Sequence, residues 1–444
     1  MTLRAFISIS FLAALTCGCR NRENERTMVV IDPGHFHAAL IQKHPVPGVS
    51  GTVKVFAPEG EELDTYLSTI ESFNSRDNGP TSWTEDVHTG DNFLEMLPEA
   101  DDGDFVVLAG NNRNKTEYIR LSIEKGYNVL SDKPMAITHE DFEALRFAIS
   151  EARKKHLVIL DMMTERHDIY NILIRRMVQD KEFFGEIDSL SFSSIHHFYK
   201  NVAGVPLKRP SWYYDVRQQG EGIADVTTHL IDLAFWSCNP GESIAENDIS
   251  DVKAHHYPTP VTLEQFRKST GAESFPAYLE PDLKGGILQV MSNGDLSFKL
   301  RGIPVDISVR WDFEAPSGSG DTSESLYKGS KATIRLVQNK ETGFNRMLMV
   351  SAEEDAVRKI ETGLKADYPF ISFSSQGGTT WSVDIPVSSI SGHEEHFGLV
   401  AKSFIEGMQK GNVPAWEYDN MLAKYRITTS AVTIAAEDSS QIDD

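Results

Sequence analysis

Asp225 and His229 stand four residues apart in the stretch Gly220–Trp236, whose apolar spacing predicts a helix. Their side chains should therefore leave one helix face a turn apart. A carboxylate beside an imidazole makes a proton-transfer pair, because histidine titrates near neutral pH. Gly220 and Gly222 just upstream would let backbone approach a ligand with no Cβ in the way. A third candidate is Lys133, in Ser131-Asp132-Lys133-Pro134. Its ammonium can donate to a substrate oxygen and stabilise a developing alkoxide. Pro134 biases Lys133 toward an extended backbone. Singly, each feature is ordinary: a helix-surface ion pair and an exposed turn would look the same.

The elements around them give the features a setting. Apolar runs at Met28–Asp32, Val53–Ala57, Asp104–Ala109, Asn128–Ser131 and Leu157–Leu160 read as strands. Helical spacing falls between them at His35–Lys43, Thr116–Lys125 and His139–Lys155. This alternation predicts a Rossmann-like parallel-sheet domain over 28–160, with Asn74–Thr84 as a surface loop. Beyond it, residues 287–314 and the runs Ala332–Val337, Met347–Ser351 and Trp381–Ile385 read as further strands. Asn293-Gly294 suggests a hairpin turn, Pro316–Ser325 a flexible loop, and His393–Lys410 and Tyr418–Ala436 closing helices. Residues 161–436 thus form an α+β domain with a large, mainly antiparallel open sheet, and 437–444 an acidic, disordered tail. The fold class is α/β.

In such a sheet the first strand–helix turn is where amides would hold a pyrophosphate. Here that turn is Asp32-Pro33-Gly34-His35-Phe36-His37, in which only Gly34 keeps a glycine position. Asp32 would repel phosphate unless its side chain caps the helix. Glu59, two residues past the second strand, is the candidate for a ribose hydroxyl. Gly110, Asn111 and Asn112 follow the third strand, and Asp132, Lys133 and Pro134 follow the fourth. Glu165 and Arg166 could face a substrate or line a domain seam. His196 and His197, with Trp212 and Tyr213, give the aromatic and polar mix that suits a carbohydrate, or a half-buried domain contact. No H-E-x-x-H or H-x-x-E-H spacing occurs, so no metal site is expected.

Composition sets the limits. The chain has 444 residues, long enough for two domains, with 40% hydrophobic and 24% charged residues. A net charge of −22 argues against nucleic acid and anionic lipid as partners. Arg4, the apolar run Ala5–Leu15 and Thr16-Cys17-Gly18-Cys19 read as a signal segment over 1–19, too short to span a bilayer. Export to the bacterial periplasm is expected, with a lipid anchor on Cys19 or Cys17 as one form and plain cleavage as the other.

Taken in order, these elements resemble the glucose–fructose oxidoreductase / inositol dehydrogenase (Gfo/Idh/MocA) family. Tyr127–Met135 is similar to its G-K-H-V-x-x-E-K-P-x signature, with Asp132 for glutamate. Gly220–Leu233 is similar to its glycine-rich D-x-G-x-H-x-x-D-L signature, with Glu221 and Thr227 at glycine positions. The resemblance covers about 28–240 and the C-terminal helices, and the chain further looks like an exported subgroup from carbohydrate-degrading bacteria. It implies NAD, with NADP as the alternative, at the domain interface, and a sugar or glycoside substrate. His229 would take the hydroxyl proton, Lys133 would hold the oxygen, and Asp225 would fix the imidazole tautomer. It also implies a homo-oligomer. Gly110–Lys115 departs from the family's T-P-N-x-x-H turn. Three activities are compatible: a net oxidoreductase, a glycosidase using NAD in a closed redox cycle, and a non-catalytic carbohydrate-binding lipoprotein.

Overall fold

A computed structural model describes residues 25–202, 205–411 and 413–442. The expected signal segment with Cys17 and Cys19 lies outside the described residues. No helix among the described residues is long and apolar enough to cross a membrane.

Six parallel strands form the first sheet: β1 (Met28–Ile31), β2 (Thr52–Ala57), β3 (Thr84–Thr89), β4 (Phe105–Leu108), β5 (Asn128–Ser131) and β6 (Ile159–Asp161). Their order is β3-β2-β1-β4-β5-β6, so the chain reverses direction between β1 and β4. Open sheets of this kind bind ligands beyond the carboxyl ends of the strands at that reversal. Because side chains alternate along a strand, Met28 and Val30 enter one core and Val29 and Ile31 the other. The expected loop before Thr84 is followed by a strand that sequence reading missed. β3 is a polar, half-exposed edge strand paired only with β2.

The second sheet is mixed, with nine strands along its path. In order they are Ile249–Val261, Ile287–Leu300, Ile303–Glu314, Ile187–Tyr199, Thr322–Gly329, Thr333–Gln338, Met347–Ser351, Thr380–Asp384 and Ser372–Gly377. Only the pairing of Ile303–Glu314 with Ile187–Tyr199 is parallel. The expected hairpin at Asn293-Gly294 is not there: Ile287–Leu300 runs straight through, and Gly294 pairs with both His256 and Val309. The Asn293 side chain replaces missing ladder contacts, donating to Tyr257 O and Thr259 Oγ1 and accepting from Trp311 N. The turn falls instead at Arg301-Gly302, both with positive φ.

Two closing helices return to the first sheet. Phe397, Val400 and Phe404 of His393–Lys410 fill one of its cores, and Tyr418, Met421 and Tyr425 of Ala415–Ile442 fill the other. The last helix also reaches the second sheet's core through Ala423, Ile427 and Ala431. It continues through Glu437 and Asp438 to Ile442, where a disordered tail was expected.

Candidate active site

Lys133 follows β5, with a cis peptide to Pro134. Its Nζ donates to Asp225 Oδ1 across the boundary between the two domains. Asp225 also accepts from Gln219 Nε2 at 3.2 Å. Burial is the largest influence on Asp225 and raises its pKa, but the charge and hydrogen bond of Lys133, with the Gln219 hydrogen bond, together outweigh it and hold the carboxyl below the usual range. Gly222 precedes Asp225 in a short helical turn, and a Cβ there would lie 1.8 Å from Ser292 O. The close approach serves packing against the second sheet, not the ligand contact expected of it.

His229 sits one turn further on, in the helix Thr227–Cys238. The expectation that Asp225 orients its ring is overturned. Asp225 is held by Lys133 and Gln219, and His229 Nδ1 is buried without a partner among the described residues. Burial first, then the charge of Lys133, push the His229 pKa down to about 3, so the ring is neutral near pH 7. Two carboxylates oppose this shift, Glu165 and, more weakly, Asp132. Glu165 is paired with Arg346 at 3.3 Å and His393 at 3.5 Å and is held well below its ordinary range, chiefly by Arg346 against burial.

The turn after β1 is built differently from a phosphate cradle. Gly34 N donates to Asp32 O (2.8 Å), His35 N to Ala109 O (3.1 Å) and His37 N to His35 Nδ1 (3.3 Å). These amides, expected to meet phosphate, are thus spent on protein acceptors. Asp32 adopts positive φ, and its carboxylate turns to Tyr118 OH at 2.9 Å. It does not cap the helix, and burial raises its pKa. Gly110 is packed so tightly against this turn that a Cβ would lie 2.1 Å from Asp32 O. Asp132 accepts from His37 Nδ1 at 2.8 Å and from Lys133 N at 2.9 Å. His35, His37 and Asp132 bring donor atoms within 4.8 Å of one another, a grouping that no sequence spacing displays. The His37–Asp132 hydrogen bond accounts for it. Burial holds both rings neutral, His35 well below its ordinary pKa.

Two spaces flank His35. The larger, about 330 Å3, is lined by Gly34, Phe36, Glu62, Arg209, Trp212 and Tyr213 among others. The smaller, about 30 Å3, lies between Lys133, Asp225, Asn112, Gln219 and Tyr213. His35 and Tyr213 border both. Trp212 packs on Gly34 and donates to Glu62 Oε1 at 3.0 Å.

Other expected contacts fall elsewhere. Glu59 is exposed and receives only a long contact from Thr89 Oγ1, whereas Glu61 and Glu62 line the larger space. Asn111 donates to Gln218 Oε1 and Asn112 to Gln219 O, both at 2.7 Å, so they join the domains. Pro134 contributes its carbonyl, which accepts from buried Lys115. Arg166 does not face a substrate: it makes two bonds to Asp232 at 2.7 Å and two to Glu417. It thereby ties the His229 helix to the C-terminal helix. His196 and His197 both direct Nδ1 at Asp321, at 3.5 and 2.9 Å, and line neither space. Gln219, Glu62, Arg209 and His393 were missed; no local pattern marks them, since their partners are set by the tertiary fold.

Residues 173–436 match the family named Putative oxidoreductase C terminal domain. The chain is 40% identical to a putative oxidoreductase from Parabacteroides merdae, with a TM-score of 0.91 over 94% of this chain and 98% of that one. A putative oxidoreductase from Thermotoga maritima shares the fold at 15% identity (TM-score 0.61, covering 92% and 98%). Levoglucosan dehydrogenase, in complex with NADH and levoglucosan, does so at 16% (TM-score 0.61, covering 93% and 98%). None of the curated proteins matches the chain in sequence. The fold is the one that the Gfo/Idh/MocA resemblance implied, and the chain belongs to the Putative oxidoreductase C terminal domain family.

Proposed function

We propose that the protein is an NAD-dependent oxidoreductase acting on a hydroxyl of a sugar or glycoside. The observation that carries this reading is the buried Lys133–Asp225 pair beside neutral His229, at the carboxyl edge of a parallel sheet and next to its β1/β4 reversal. Levoglucosan dehydrogenase, which shares this fold, binds NADH together with a sugar.

The cleft fits a dinucleotide in a particular way. Turning Asp32 toward Tyr118 keeps a carboxylate out of the phosphate region. A roomy space adjoins Gly34 and Phe36, and no arginine cluster follows Val55 to meet an added 2′-phosphate, which supports NAD over NADP. The space at Lys133 holds about one water, and His35 and Tyr213 stand between it and the larger space as residues that border both.

When bound, the nicotinamide supplies the hydride acceptor. Lys133 Nζ donates to the substrate oxygen and stabilises its negative charge as the C–H bond breaks. Asp225 accepts from that ammonium and fixes it in place. His229, neutral and with Nδ1 lacking a partner among the described residues, is the acceptor we assign to the hydroxyl proton, and Glu165 and Asp132 oppose the burial and the Lys133 charge that disfavour its imidazolium. We also place the protein outside the cytoplasm, on the strength of Arg4, the apolar run and the Cys17/Cys19 pair; fractionation of expressing cells tests this.

Product analysis with NAD and a panel of sugars and glycosides tests the activity. A ketone formed in step with reduced nicotinamide supports it. Free sugar without net nicotinamide turnover would show a closed redox cycle instead, and no reaction across the panel would count against both.

A further inference from the structure

Arg209 is 6% exposed and lines the larger space together with Gly34, His35 and Phe36. Its Nε donates to Phe198 O at 2.7 Å and its Nη2 to His197 O at 3.3 Å, both neutral carbonyls. Nη1 has no protein acceptor among the described residues, and no carboxylate lies within 4 Å of the guanidinium. The planar group is fixed by Tyr213, whose ring centre is 4.1 Å away, and by Trp311 at 5.5 Å. A buried, unpaired cation is costly, and proteins rarely keep one without an anion to meet.

The other charged groups on this wall are accounted for. Lys208 is paired with Glu61. Glu62 receives the Trp212 indole N–H, and burial raises its pKa. His35 is neutral. Among the described residues Arg209 is therefore the uncompensated charge of the cavity, whose wall also carries the turn in which the Gly34, His35 and His37 amides are already spent.

We infer that Arg209 is the anion anchor of this cavity and, resting on the reading above, that it takes a phosphoryl oxygen of the dinucleotide pyrophosphate. A guanidinium from the second domain thus replaces the glycine-turn amides of the first. Its fork suits an oxyanion in two-point contact, and its stacked position costs little further ordering on binding. A substrate carboxylate offers the same chemistry from another source.

The test uses the full chain, with Arg209→Met and Arg209→Lys, and reads binding rather than turnover. NADH is titrated by fluorescence; ADP-ribose and D-glucuronate are titrated by calorimetry. Wild type should bind NADH and ADP-ribose, and Arg209→Met should weaken both by roughly 10- to 100-fold, as for loss of a charged hydrogen bond. Arg209→Lys, which keeps the charge but loses the fork, should fall between, and it carries the test where the methionine variant does not fold. Unchanged NADH and ADP-ribose binding in a folded variant overturns the inference and leaves the proposed function standing. Loss of glucuronate binding alone overturns the pyrophosphate assignment in favour of a substrate carboxylate. Wild type binding neither nucleotide removes the NAD reading, and this assignment with it.

Discussion

Lys133 and Asp225 come from segments 92 residues apart and form an ion pair across the domain boundary, with side chains 12% and 7% exposed. Neither has another charged partner within salt-bridge distance among the described residues. The pair is thus both a structural tie and the group that presents an ammonium to the cleft.

Removing one member leaves the other charged and buried. Lys133→Met or Asp225→Asn should each destabilise the fold, by up to roughly 3–5 kcal/mol as for broken buried pairs. The double variant Lys133→Met/Asp225→Asn should lose clearly less than the sum of the two. Denaturant titration of the three proteins checks this, and strict additivity would mean that the pair is not coupled. Turnover should fall by two or more orders of magnitude in every variant lacking Lys133.

His229 is expected to act in its neutral form, which burial and Lys133 stabilise down to about pH 3. A base whose pKa is depressed stays competent as pH falls and is lost only when pH drops through that value. The acidic limb of kcat/KM assigned to His229 should therefore lie well below pH 6.5. A limb near 6.5 that vanishes in His229→Gln would show that the ring titrates normally.

Acid should weaken the fold early. Burial is the largest cause lowering the pKa of His35, His37, His167, His229 and His396. In the unfolded chain their imidazoles bind protons near pH 6.5, which the folded chain refuses. Their contribution to stability is complete above that pH and falls as pH drops toward the folded values, by up to about 1.4 kcal/mol per pH unit for each. Asp32, Glu62, Glu85 and Asp168 have raised values and act in the opposite sense, at lower pH, near the carboxylate range. The melting temperature should thus fall between pH 7 and 5.5; a flat profile would contradict the buried neutral histidines.

Arg166 separates a structural from a substrate role. With its bonds to Asp232 and Glu417, Arg166→Met should lower stability and leave KM unchanged in whatever protein folds. A raised KM with unchanged melting would restore the substrate contact expected from sequence.

Most of the first sheet was legible because its buried strands are continuous apolar runs. β3 was not: Thr-Glu-Asp-Val-His-Thr has one apolar residue, and it is a strand by pairing with β2 rather than by burial. Asn293-Gly294 carries a turn's chemistry, yet side-chain bonds from Asn293 hold it inside a strand. Lys133, Asp225 and His229 stood out as candidates from type and spacing. Their mutual roles did not, because Lys133 reaches Asp225 only once the two domains close. Arg209 and Glu165 draw their meaning from partners far along the chain, which no local pattern displays.

Fluorescence titration of the purified full-length chain with NADH tests the central claim most directly, with Lys133→Met as companion. Saturable binding by wild type, with the nicotinamide emission changed differently in the variant, is the predicted result. Absence of binding by wild type, with the fold intact and no nicotinamide released on denaturation, would contradict it.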